Sequence, residues 1–278
     1  MAIEKFIPEI WAKQFEKDLE KDLVFYENCN HQYEGLATKP GDTVKILGLG
    51  KPNLRSFGDG KLHKLDAPES IEDLSMTLPI MQVRDFNFYV DDLEKRQAEG
   101  GGGLLSEYMS QAKEEVAASQ DAYIAKLVTA KQVKKETVTS ALTKDNILDV
   151  IDTALLTLLN NDVKRTTEIT LTAPPWFVML MKKAYVELDT DNSAMMKNGR
   201  VGRYAGLTIK ESTNVYNDGT YDNIQIKTNR AISFVKPYLH LEAYKPEDYF
   251  SDAVKGYALF DGKVTRPKEI VNLQVKQK

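Results

Sequence analysis

Cysteine is almost absent from this chain of 278 residues: Cys29 stands alone, so no disulfide can form within it. Whatever stiffens the fold is packing or assembly. Histidine is nearly as scarce, with only His31, His63 and His240, far apart and outside any catalytic motif. Cys29-Asn-His31 offers two metal ligands, but no second Cys/His pair exists to complete a tetrahedron. A half-buried thiol beside a surface histidine is the better reading. No apolar run approaches the roughly 20 residues of a membrane-spanning helix. The longest, from Trp176 to Met181, stops at Lys182 and Lys183. Glu4, Lys5 and Glu9 interrupt the start where a signal peptide would need apolar residues. The expectation is a protein that is intracellular when made and has no membrane partner.

A basic excess is also lacking. The formal net charge is −4 and the pI about 5.6, against a dedicated nucleic-acid binder with a basic face. A container that attracts a polyanion only weakly remains compatible with that balance. Hydrophobic content of 42% and charged content of 28% fit a folded chain, long enough for one large or two modest cores. The charge is uneven. Residues 1–34 hold eight acids against four lysines, whereas residues 35–65 hold six basic residues against Asp42 and Asp59. Such adjacent segments either neutralise each other or steer one copy onto its neighbour.

Catalytic signatures are missing as well. Neither G-x-S-x-G nor H-E-x-x-H occurs. Asp189-Thr-Asp191-Asn-Ser193 begins like a calcium loop, then places Ala194 at the turn glycine and Arg200 at the bidentate glutamate. Gly48-Leu-Gly50-Lys51 lacks the spacing of a phosphate loop. Asp91, Asp92 and Glu94 read as acids at a helix start, where the helix dipole favours them. The expectation is no catalytic residue, no cofactor and no metal.

What the chain does have is reach. Ile7, Ile10, Trp11, Phe15, Leu19 and Leu23 recur at helical spacing, a narrow apolar stripe on a charged segment. It docks either on its own core or on a partner. Lys39-Pro40-Gly41-Asp42 marks a turn into a strand over 43–47, followed by a glycine-punctuated stretch with Asp59-Gly60 as a hairpin tip. A returning strand alternates at Phe86, Phe88 and Val90. This reads as a long two-stranded arm, which is marginal in water unless it lies on a surface.

Beyond a four-glycine run at 100–103, a flexible joint or an open turn, the spacing predicts a helix over 104–129, roughly 40 Å long. A second helix is expected over 144–161, a strand over 168–172, and a third helix opened by Pro174-Pro175 and running to Leu188. A polar loop is expected over 189–203. Strands follow over 207–210, 223–227, 231–235, 238–244 and 257–260, with Asp261-Gly262 as a tight turn into 263–265. Helices in the middle and strands at the end indicate an α+β fold, without internal repeats.

The order of these parts resembles a known family. The blocks are Ile7-Pro-Glu-Ile-Trp11-Ala-Lys13, Gly41-Asp-Thr-Val-Lys-Ile46, Phe86-Asn-Phe-Tyr-Val-Asp-Asp-Leu-Glu-Lys-Arg-Gln97, Gly199-Arg-Val-Gly-Arg-Tyr-Ala-Gly206, and Phe250 through Gly256 and Gly262 to Pro267. Together they resemble the major capsid proteins of tailed bacteriophages, over nearly the whole chain. The resemblance implies the Hong Kong 97-like capsid fold: an N-terminal arm (1–34), an extended β-hairpin loop (35–90), a peripheral domain with a long spine helix (91–139), an axial domain (140–230) and returning strands (231–278). It implies self-assembly as pentamers and hexamers into an icosahedral shell around double-stranded DNA, held only by weak non-specific contact. Portal, scaffolding and decoration proteins are implied partners, and the virion the implied location, with assembly in the host cytoplasm. Trp11, Phe15, Lys51, Arg55 and Lys61 are the expected inter-subunit contacts. A start directly at the arm, with Met1, points to scaffolding supplied by a separate protein. Two rivals stand beside this reading. One is the shell of an encapsulin-like nanocompartment; the other is an α+β enzyme or ligand-binding domain using the 189–203 loop.

Overall fold

A computed structural model describes residues 23–36, 42–46, 75–91, 102–187, 200–246 and 251–277. In chain order the first elements are β1 (Thr43–Ile46), β2 (Met76–Pro79), β3 (Gln82–Asp91), α1 (Gly102–Leu127) and β4 (Lys134–Thr137). They are followed by α2 (Ile147–Asn160), β5 (Ile169–Ala173), α3 (Pro175–Glu187), β6 (Arg200–Tyr204) and β7 (Leu207–Glu211). The chain closes with β8 (Asp222–Thr228), β9 (Ile232–Tyr244), β10 (Ser251–Val264) and β11 (Ile270–Val275).

Alternation of apolar and polar residues builds the largest sheet, ordered β4-β11-β8-β5-β7-β6. Its register places Leu171, Ile209, Ile226 and Val271 on one face. That face forms a core with Ile147, Ile151 and Leu158 of α2 and Phe177, Val178 and Met181 of α3. The same register puts Thr170, Thr172, Lys210, Gln225, Lys227 and Asn272 on the opposite face. All six are buried.

A second sheet, β3-β10-β9, is antiparallel throughout. Phe86, Ala258 and Phe260 on one of its faces share a core with Val116, Ile124 and Val128 of α1. Gly256 is needed in the middle strand. A Cβ there would come within 2.7 Å of both the Leu241 and Phe86 side chains. A third, two-stranded ribbon of β1 and β2 seats Val44, Ile46, Leu78 and Ile80 against Val235 and Leu259.

Several expectations are corrected. The return of the two-stranded arm divides at Ile80: β2 pairs with β1, while the alternating Phe86/Phe88 stretch is β3 and pairs with β10. The two strands expected over 231–244 are one, β9. Its proline fits because Lys236 and Pro237 lie in a bulge, between the pairs Val235↔Asp261 and Tyr238↔Leu259. Asp261-Gly262 is no turn but part of β10. The Asp261 carboxylate points inward and accepts bonds from Tyr123 Oη (2.5 Å) and the Met81 amide (3.0 Å). Gly262 is there for closeness, since a Cβ would lie 3.0 Å from Phe234 and 3.1 Å from Leu127. The end of the expected 189–203 loop is strand β6. It returns to β7 through Ala205 and Gly206 at φ 48° and 89°, the positive angles of a tight two-residue hairpin.

Candidate inter-subunit surfaces and the anchor of the arm

Residues 23–36 form a strap that crosses from α1 to the polar face of the six-stranded sheet. Leu23, Phe25 and Tyr26 sink their side chains into the core around α1, beside Phe234. The backbone is held by side chains far away in sequence. Asp121 of α1, 1% exposed, accepts bonds from the amides of Val24 (2.9 Å) and Phe25 (3.2 Å). Burial pushes its carboxyl up to about 6, while those amides pull the other way.

From the sheet, Lys227 donates to the Asn28 carbonyl at 2.8 Å and lies 3.4 Å from the Cys29 sulfur. Lys210 reaches Glu27 at 2.6 Å. Thr170 donates to Asn28 Oδ1 at 3.4 Å. Farther along, the Asn30 amide donates to the Ile232 carbonyl at 2.8 Å, and the Phe234 amide donates to the Asn30 carbonyl at 3.2 Å. The polar face of the sheet is thus a docking surface for the strap. Gln225 fastens the same face to α1, donating to the carbonyls of Ile124 (3.0 Å) and Ala125 (3.0 Å) in the helix's last turn.

Cys29 and His31 do separate jobs. The thiol donates to the Phe25 carbonyl at 3.3 Å, and burial raises its pKa. The His31 ring lies against Tyr26 with centroids 4.2 Å apart, and its nitrogens meet Glu34 (3.1 Å) and the Tyr26 carbonyl (3.0 Å). Burial opposes charge on Glu34, but the bonds from His31 and Tyr26 hold its carboxyl below the usual range.

Two outward surfaces complete the picture. On the three-stranded sheet, Glu242 bridges Lys255 (3.0 Å) and His240 (3.8 Å), and Tyr244 donates to Asn87 at 3.0 Å. Large apolar side chains also stand in the open: Met81 (72% exposed) between β2 and β3, Tyr89 (60%) on β3, and Leu156 (56%) and Met179 (63%) on the helices. The expected contacts Trp11, Phe15, Lys51, Arg55 and Lys61 lie outside the described residues, as do the Asp59-Gly60 tip and the calcium-like stretch. Sequence reasoning missed Asp121, Asn28 and Lys227. Asn223, Gln225 and Lys227 alternate with Ile224 and Ile226, a local sign of a polar face, but nothing local says that another segment covers it.

No protein-family model matches the chain, and no curated protein matches it by sequence. Solved structures do. A chain of Mycobacterium phage Che8 is similar at 24% identity with a TM-score of 0.74, the match covering 90% of each chain. The capsid of cyanophage P-SCSP1u is similar at 13% identity and TM-score 0.69, covering 92% of this chain and 89% of that one. The virus-like particle of Pyrococcus furiosus is similar at 15% identity and TM-score 0.61, covering 95% and 98%. These likenesses define the architecture. The chain has the α+β fold of Hong Kong 97-like capsid proteins.

Proposed function

We propose that this chain is the major capsid protein of a tailed bacteriophage, assembling as pentamers and hexamers into an icosahedral shell around double-stranded DNA. The observation that carries the reading is the reciprocal reach of the structural likeness, about nine-tenths of both chains in the Che8 comparison. The strap, the 26-residue α1 and both larger sheets supply a stiff body. Two segments adjoin it in sequence: residues 1–22 precede the strap, and residues 47–74 link β1 to β2.

Each segment has a rigid root. The strap is bonded at Asp121, Lys227, Ile232 and Phe234, and the ribbon is packed on Val235 and Leu259. Laid across neighbours, the segments would make the many modest contacts that closure turns into a stable shell. Trp11, Phe15, Lys51, Arg55 and Lys61 are the contacts we assign to them. In this reading residues 1–34 are the arm, 35–90 the extended loop, 91–139 the peripheral domain, 140–230 the axial domain and 231–278 the strands that complete both. The role is structural and not enzymatic. Portal, scaffolding and decoration proteins are the other partners, DNA is touched weakly, and assembly takes place in the host cytoplasm.

A nanocompartment shell is the alternative and is not favoured: the phage chains give TM-scores of 0.74 and 0.69, against 0.61 for the Pyrococcus virus-like particle. Electron microscopy of the purified protein, alone and with a co-expressed scaffold, tests both. Closed shells, or pentamers and hexamers, are the expected result, and the enclosed cargo separates genome from enzyme. A persistent monomer overturns both readings.

A further inference from the structure

Between Asp121, which is buried, and Glu136 the chain carries four lysines, Lys126, Lys131, Lys134 and Lys135, and no acid. That run stands out in a chain of net charge −4. The fold sets it beside an open groove of about 630 Å³ along the C-terminal half of α1. Lys126 and Arg84 line the groove, and Lys131 follows Ala130, another lining residue. Lys135 pairs in register with Asn272 of β11, and Asn272 with Gln225, which is bonded to the last turn of α1. Lys135 therefore stands on the α1 side of the sheet edge.

Arg84, Lys126, Lys131 and Lys135 are all exposed. Arg84 is fixed in place: Nε donates to Ser119 Oγ at 2.8 Å and the guanidinium lies 5.7 Å from the Phe260 ring centre. Among the described residues no carboxylate lines the groove, and none pairs with Lys126, Lys131 or Lys135. Lys134, by contrast, reaches Glu136 at 4.0 Å. Asp218, just beyond Tyr216 of the groove, is engaged by the amides of Thr220 (2.9 Å) and Tyr221 (2.7 Å). Charge of one sign calls for an anionic partner. Lysines are depleted from the cores of protein–protein interfaces, where each must give up side-chain freedom and hydration. A phosphate backbone asks for neither, since flexible point charges meet it at the surface and its counterions are released.

We propose that Arg84, Lys126, Lys131 and Lys135 form a surface that binds the phosphate backbone of double-stranded DNA without regard to base sequence. The choice of DNA as the polyanion rests on the capsid reading, whereas the surface is a property of the single subunit. Four phosphate contacts give a slope of about −3.6 in log K against log salt, so the contact is weak and readily released as salt rises.

Fluorescence anisotropy of a short labelled DNA duplex, titrated with the full-length soluble subunit over a series of sodium chloride concentrations, tests it. The triple variant Lys126→Gln, Lys131→Gln, Lys135→Gln should flatten the salt slope by about 2.7 and weaken binding roughly tenfold or more at low salt. Its melting curve should stay put, because all three side chains are exposed. Lys164→Gln, Lys182→Gln, Lys183→Gln removes the same charge from exposed positions elsewhere and should leave the slope unchanged. A wild-type subunit that does not bind the duplex overturns the proposal. Equal losses in the two triple variants overturn it too, by reducing the effect to net charge. Binding of polyglutamate in preference to DNA gives the surface to an acidic protein instead. Microscopy reads assembly separately: closed shells without DNA binding discard the surface and keep the capsid reading, and DNA binding without shells does the reverse.

Discussion

Lys227 and Asn28 are separated by 199 residues of sequence and by 2.8 Å in space, the ammonium donating to the backbone carbonyl. The lysine is 1% exposed. Its surroundings supply that carbonyl, the Cys29 sulfur and the charge of Asp121, so a buried cation is shared among three partners. The strap is therefore part of the folded body and not an appendage.

Lys227→Met keeps most of the length of the side chain, without its ammonium, but orphans the Asn28 carbonyl. A loss of about 1–3 kcal/mol in unfolding free energy is expected, read by urea denaturation. Lys210→Met should cost under about 1 kcal/mol, because its partner Glu27 is half exposed. Equal effects would mean that burial does not set the strength of the anchor.

Asp121 supplies a pH dependence with a definite sign. Its folded carboxyl titrates at about 6, against 3.8 for the ordinary group, mainly because it is buried. Between these values the folded chain holds a proton that the unfolded chain does not. Its stabilisation is complete below the unfolded value and is lost as pH rises through the folded one. The stability difference between wild type and Asp121→Asn should therefore fall by up to about 3 kcal/mol across that window and level off near neutrality. Urea melts at half-unit steps would reveal it; a flat difference would place the carboxyl in contact with water.

Gly256→Ala should be among the costlier single-methyl insertions. The new Cβ would meet Leu241 and Phe86 at 2.7 Å and the His240 carbonyl at 2.8 Å, so two side chains and a backbone oxygen must all give way. About 1–3 kcal/mol is expected. Gly262→Ala should cost less, its tightest neighbour being the Phe234 ring at 3.0 Å. Thermal melts of the two variants settle the order.

Leu156 and Met179 offer a test of surface against core. Both are more than half exposed, so a glutamate at either should change subunit stability by no more than about 0.5 kcal/mol. If these positions face neighbours in a shell, the yield of closed particles seen by microscopy falls while the melting curve stays put. Unchanged yield would assign the contacts to other surfaces.

Much of the helical framework was legible in the sequence. The helix expected over 104–129 spans Gly102–Leu127, and that over 144–161 spans Ile147–Asn160, because apolar spacing over several turns is a local signal. The errors cluster where local signals mislead. Asp-Gly usually turns, yet Asp261 is held by Tyr123, 138 residues away, and Gly262 is selected by the nearness of Phe234 and Leu127. Pro237 appeared to divide a strand that a bulge carries through. Phe86 and Phe88 looked like the return of a hairpin, but a non-local partner, β10, claims them. The strap's anchor was invisible for the same reason. Alternation reveals that one sheet face is polar, and only tertiary structure reveals that the face is covered.

The strap also sets a timetable. It leaves the ribosome 199 residues before Lys227, its deepest anchor, and at 5–20 residues per second that gap lasts roughly 10–40 s. Throughout that interval Leu23, Phe25 and Tyr26 have no completed seat. The strands that hold the strap through Lys227, Ile232 and Phe234 are β8 and β9, so its seat is completed only in the last fifth of synthesis.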